Sequence, residues 1–186
     1  MKKKIYYILI ILVLIYGGFS LYSKPYIIAE DKKQLEENIV KFINRPIVIT
    51  DKIEIKQELN LHNKKFVLFL YNNKLANVEL IKGLNNKYKI EKAELTDKYF
   101  YDEIRTTSDG KYLILKGENN NSKIAYVRVL LDNNEYKIDI PQQAYFITYC
   151  KVPMKTEKTF IGAGNLKIYN SEDIDITNEM KKVLVK

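Results

Sequence analysis

Thr50-Asp51-Lys52-Ile53-Glu54-Ile55 opens a segment that the chain contains twice, and the second copy opens at Thr96-Asp97-Lys98-Tyr99-Phe100-Tyr101. The offset of 46 holds as far as Lys65-Phe66-Val67-Leu68 against Lys111-Tyr112-Leu113-Ile114. A small insertion in the second copy then moves it to 49, where Leu75-Ala76-Asn77-Val78 meets Ile124-Ala125-Tyr126-Val127. It settles at 48, where Tyr88-Lys89-Ile90 meets Tyr136-Lys137-Ile138. A period of this length marks a repeated supersecondary unit.

Within the first unit the apolar pattern has the period of strands. Ile53, Ile55, Leu59 and Leu61 alternate with Glu54, Lys56, Glu58 and Asn60, with Gln57 the one polar residue on the inward side. Alternation of this kind predicts a strand with one wet face. Phe66 to Tyr71 is continuously apolar and predicts a strand buried on both sides. Asn72-Asn73 predicts a tight hairpin turn, because Asn tolerates positive φ. Leu75 to Ile81 and Tyr88 to Leu95 complete four strands. The second unit repeats the plan over Tyr99–Arg105, Tyr112–Leu115, Ile124–Leu131 and Tyr136–Ile140, with a longer polar loop from Glu118 to Ser122. Units 50–95 and 96–143 therefore read as two four-stranded antiparallel meanders, each with an apolar face that the other can cover as one sheet or a sandwich.

The flanks extend this reading. Ile47-Val48-Ile49 is a short strand in prospect. Before it, residues 24–46 hold a linker and an amphipathic helix, with Glu30 or Asp31 as cap, Leu35, Ile39, Phe42 and Ile43 on one face, and Pro46 as stop. After the repeats, Ala144–Val152, Phe160-Ile161 and Leu166–Tyr169 read as strands, and Ile174 and Ile176 alternate with Asp173 and Asp175. Thr177 can cap a short C-terminal helix. The fold class is mostly β (α+β).

At the N-terminus, Lys2-Lys3-Lys4 precedes an uncharged run from Ile5 to Ser23, long enough to cross a membrane as a helix. The lysines should stay in the cytoplasm, so residues 1–4 read as the inner flank, 5–23 as the span, and 47–186 as an exported domain. The rival is a cleaved signal, with Gly18-Phe19-Ser20 near the cleavage position, which would make the domain secreted. No cysteine stands at the end of the run, which excludes a lipoprotein anchor.

The formal charge of +8 is carried almost wholly by Lys; Arg45, Arg105 and Arg128 are the only arginines. With so little Arg and no recognition motif, a nucleic-acid partner is not expected. The Lys excess reads first as a solvated surface, and after that as a diffuse attraction to anionic surface polymer or lipid headgroups. Cys150, the single cysteine, rules out an intramolecular disulfide and a cysteine-based zinc site.

Each candidate for chemistry has a plainer reading. His62 is the only histidine and has no partner motif around it. Cys150 sits in a β-forming run as a structural thiol. Gly162-Ala163-Gly164 lacks the third glycine and the βαβ setting of a dinucleotide loop. Asp173, Asp175, Thr177 and Glu179 alternate without the glycine of a calcium loop. No catalytic, metal or cofactor residue is therefore expected. The densest aromatic and charged cluster lies where the second copy departs most from the first. Tyr99, Tyr101, Asp102 and Arg105 are the candidate interaction surface, because Tyr and Arg are favoured in recognition. The expected function is a membrane-anchored, non-enzymatic module that binds an envelope protein or surface polymer. A carboxylate hydrolase and an accessory subunit of an envelope complex are the alternatives.

Overall fold

The structure is a computed structural model that describes residues 2–44, 52–95 and 100–184. The expected strand Ile47-Val48-Ile49, the stop at Pro46, Thr50-Asp51, Thr96-Asp97-Lys98 and the candidate Tyr99 lie outside the described residues.

Helix α1 (Lys2–Ser23) carries the apolar run and is long and apolar enough to cross a membrane. No residue of its stretch Tyr6–Ser23 is buried by the rest of the chain. Helix α2 (Lys32–Ile43) begins where Asp31 caps it, accepting a hydrogen bond from Gln34 N at 2.8 Å. Such a cap contributes about 1 kcal/mol. Leu35 and Ile39 are buried, and α2 lies on one face of the first sheet against Val67, Phe69, Val78 and Leu80. Full burial of side chains of this size is worth about 2 kcal/mol each.

The first sheet is the meander the sequence predicts: β1 (Ile53–Leu61), β2 (Lys64–Tyr71), β3 (Lys74–Lys82) and β4 (Tyr88–Leu95), antiparallel in that order. Asn72 and Asn73 turn β2 into β3 with φ of 50° and 60°. β2 is buried on both faces, as its unbroken apolar run requires: Val67 and Phe69 meet α2, while Phe66 and Leu68 face the other way.

β1 corrects the expected single apolar face. The register slips between Ile55 and Gln57, so Lys56 is an extra residue. One inserted residue turns every later side chain to the opposite face. Ile53 and Ile55 therefore pack under α2, and Leu59 and Leu61 pack on the far side with Phe66.

The second copy does not form a second four-stranded meander. β5 (Phe100–Thr107) and β6 (Gly110–Glu118) pair, but the third strand of their sheet is β9 (Tyr145–Val152), in the order β5-β6-β9. β7 (Tyr126–Leu131) and β8 (Asn134–Asp139) leave for a third sheet, completed by β10 (Leu166–Tyr169), in the order β10-β7-β8. The cause is the loop after β6. Asn119 is buried; its side chain accepts from Ile124 N at 2.9 Å and donates to Ile124 O at 2.9 Å and Pro141 O at 3.3 Å. A tight turn at Asn120–Ser122, with Asn121 and Ser122 at φ of 61° and 52°, then carries the chain across to the next layer.

Four layers result: α2, the first sheet, the β5-β6-β9 sheet, and the β10-β7-β8 sheet. Phe66 and Leu68 meet Ile114 and Tyr101 between the first two sheets. Leu113, Leu115 and Phe146 meet Val127, Val129 and Ile168 between the second and third. Two strand expectations in the tail fail. Phe160-Ile161 is irregular chain with Phe160 exposed. Asp173 to Ile176 is a turn, with Asp173 at φ 59° and one bridge from Asp175 to Tyr169. Helix α3 (Thr177–Leu184) ends the described chain.

Candidate functional site

Strands β5 and β6 present one face to the first sheet, and that face is not wholly apolar. Glu103 and Arg105 alternate inward on β5, and Lys116 stands on β6. Facing them on β3 are Asn77 and Glu79. Lys116, 1% exposed, donates to Asn77 Oδ1 at 2.9 Å and to Glu103. Arg105 spans both sheets: its Nε reaches Glu79 at 2.7 Å and its Nη2 reaches Glu103 at 2.7 Å. Lys64 joins Glu79 to Glu91, the latter at 2.8 Å. The Lys116 ammonium also lies 5.4 Å from the centre of the Phe66 ring.

The electrostatics follow from burial set against these partners. Burial alone would raise the Glu79 carboxyl, but Lys64 and Arg105 outweigh it and hold the group below the usual carboxylate range. Burial holds the Lys116 ammonium below the ordinary lysine range, and the Glu103 charge pulls against that. Lys64 and Arg105 are raised: their carboxylate partners overcome the burial that would lower them.

Tyr101, Asp102, Glu103, Arg105 and Lys116 line a cavity of about 200 Å³ with Phe160 at its rim. That is room for a few waters and lies below the roughly 300–1,000 Å³ of ordinary ligand pockets. A general acid needs a carboxyl held above its usual range, and Glu79 is held below. The arrangement fastens two sheets together by ion pairing. Among the described residues, no group of three or more His, Cys, Asp or Glu is placed to hold a metal ion.

No family model, curated protein or solved structure matches this chain.

The structure thus brings Tyr101, Asp102 and Arg105 together, but at a seam. Tyr101 is buried, and its hydroxyl donates to Leu75 O at 3.1 Å across the sheets. Asp102 accepts from Ile161 N and pins the chain after β9. Arg105 is partly exposed and held by two carboxylates. Sequence reading singled out Tyr101, Asp102 and Arg105 here and missed Lys116, Asn77 and Glu79. Lys116 was visible as a charge inside the apolar strand Tyr112 to Leu115 extended by one residue.

A second polar cluster also went unread. His62 Nε2 lies 2.9 Å from the Tyr112 hydroxyl, which donates to Asp109 at 2.9 Å. Lys151 reaches the same carboxylate at 3.0 Å. The hydrogen bonds from Lys151 and Tyr112 hold Asp109 below its usual range. His62 and Asp109 belong to the first hairpin turn of their respective copies, and Ser108 N donates to Asn63 Oδ1 at 2.8 Å between the same turns. The cluster clasps two hairpin tips. The repeat offset makes these turns equivalent positions of the two copies, and was the available signal. Cys150 is half-buried and its thiol is pushed up to about 11 by burial, which suits a structural thiol.

Proposed function

We propose that this chain is a single-pass, membrane-anchored binding module, without catalytic activity, whose β-rich domain lies outside the cytoplasm. The observation that carries the proposal is α1: an apolar stretch, Tyr6–Ser23, in which no residue is buried by the folded body. Water-exposed apolar surface of this size is costly, and a bilayer removes the cost. Lys2-Lys3-Lys4 ahead of it favours an inside N-terminus. The non-enzymatic half draws support from the seam, where each cation and carboxylate is engaged by another. Groups bound to one another hold layers together and are not free to meet a substrate. The partner class is another envelope protein or an anionic surface polymer, which the Lys-rich surface of the domain suits.

Protease shaving of intact cells carrying a C-terminally tagged chain tests this. Loss of the tag, with residues 1–23 still on the membrane-bound mass, is the expected result. A mature chain starting near Leu21 or Lys24 and found in the medium replaces the anchor with a cleaved signal. A tag protected in intact cells, with the N-terminus retained, overturns the topology.

A further inference from the structure

Helix α1 does not end free of the body. Tyr22, in its last turn, stacks on Tyr26 with ring centroids 5.1 Å apart. Tyr26 is buried against Gly83, and a Cβ at Gly83 would lie 2.6 Å from the Tyr26 ring. Only glycine lets the turn after β3 come that close. Asn85 Nδ2 donates to Tyr26 O at 3.0 Å. Ile28 and Tyr88 then exchange both backbone hydrogen bonds, at 3.0 and 2.8 Å, so the chain leaving α1 adds to the edge of β4. The turn 83–87 is thereby fixed beside the C-terminal end of α1.

What this turn shows to the outside is unusual. Leu84, at its tip, is 76% exposed, the highest value among the exposed large hydrophobic side chains of the described residues. Ile27, on the adjoining lead-in, is 57% exposed. Around them stand Lys24, Lys82, Lys87 and Lys89, and residues 22–29 and 80–90 contain no carboxylate. The carboxylates flanking the second segment, Glu79 and Glu91, are both engaged by Lys64. A single exposed leucine is ordinary. An exposed leucine and isoleucine among four lysines, pinned to the end of an apolar helix, is not; the carboxylates next along the lead-in, Glu30 and Asp31, are taken up by Lys65 and by the cap of α2.

We infer that this patch is a membrane-docking surface. Leu84 and Ile27 enter the boundary between headgroups and acyl chains, and the four lysines meet anionic lipid headgroups of the same leaflet. The inference rests on α1 spanning the bilayer, and it adds that the β body sits on the membrane in one orientation. Two short segments suffice because α1 already holds them at the interface, so neither has to supply affinity alone. The attraction of lysines to anionic lipid falls off within a Debye length of about 8 Å, so it acts only on groups held at the surface.

The test uses the full chain in lipid vesicles, with Cys150→Ser as background. Single variants Leu84→Cys, Leu130→Cys and Val13→Cys carry a fluorophore, and the lipids carry a quencher at a shallow or a deep acyl position. In vesicles with about one third anionic lipid, the label at Leu84→Cys is expected to be quenched about fivefold more by shallow quencher than the label at Leu130→Cys. The label at Val13→Cys is expected to respond to deep quencher. Equal response at Leu84→Cys and Leu130→Cys, with Val13→Cys quenched, overturns the docking surface and leaves the span standing. No quenching at Val13→Cys overturns both. Undiminished quenching at Leu84→Cys in wholly neutral vesicles overturns the assignment to anionic headgroups.

Discussion

The two copies differ most at the connection between their second and third strands. In the first, Asn72 and Asn73 close a two-residue turn with both φ angles positive, and β3 has nowhere to go but alongside β2. In the second, Asn119 to Ala125 makes a longer path, and β7 pairs with β8 and β10 in a different layer. The edge of β6 left bare is taken by β9. A few added residues thus convert a local pairing into a crossover between sheets, because a tight turn enforces neighbourhood and a long loop only permits it. The copies differ again where they face each other. At the place corresponding to Leu70 of the first copy the second has Lys116, and at that of Gln57 it has Glu103. The second copy supplies a buried ion pair to the seam where the first would supply one amide and one leucine.

Five substitutions, in three groups, would break or sharpen this contrast. The largest effect belongs to the ion pair. Glu103→Leu leaves the buried Lys116 ammonium without its paired carboxylate, with Asn77 as its hydrogen-bond partner, and is expected to cost about 3–5 kcal/mol in denaturant unfolding. Adding Lys116→Met should recover most of that loss, since an apolar pair of similar volume removes the stranded charge. If the double variant is no more stable than Glu103→Leu, the pair is not the coupled unit described here.

The connections come next. Asn119→Ala takes partners from the Ile124 N–H and two carbonyls in a buried loop, for an expected loss of about 3 kcal/mol. Asn72→Ala places a Cβ residue other than Asn at positive φ, for an expected loss of about 1 kcal/mol. Equal costs at the two turns would mean that the Asn119 bonds do not hold the crossover.

The smallest effect is on pH. The folded Glu79 carboxyl binds its proton more weakly than in the unfolded chain. It therefore stabilises the fold above the ordinary carboxylate range, and that contribution is lost as the pH falls below about 5. Glu79→Gln is expected to flatten stability against pH in that acidic window, with little change in slope near neutrality. An unchanged acidic limb would show that Glu79 is not part of the acid response.

Much of the molecule was legible before folding. The period-2 alternation, the doubly apolar β2, the Asn72-Asn73 turn, the Asp31 cap and the apolar face of α2 are local signals, each set by residues a few positions apart. Where sequence reading missed, a local rule met a distant partner. The alternation in β1 was read as one face because a bulge leaves no mark in composition. Phe160-Ile161 looked like a strand; the segment does run beside the β5 edge, where Ile104 N donates to Thr159 O at 2.8 Å, but the Ile161 N–H goes to the Asp102 side chain and not into a backbone ladder. Tyr101 and Arg105 looked like a recognition surface because their type favours one. Their burial depends on β3, a strand from the other copy.

The sequence by itself determined the element types, the repeat, and the apolar N-terminal helix, because side-chain period and turn chemistry act within a few residues. Only the tertiary structure decided which sheet each strand joins, which face of β1 is inward after its bulge, and that the charged cluster is a seam. Those outcomes depend on which surfaces meet, and each surface is assembled from segments that the chain order keeps apart.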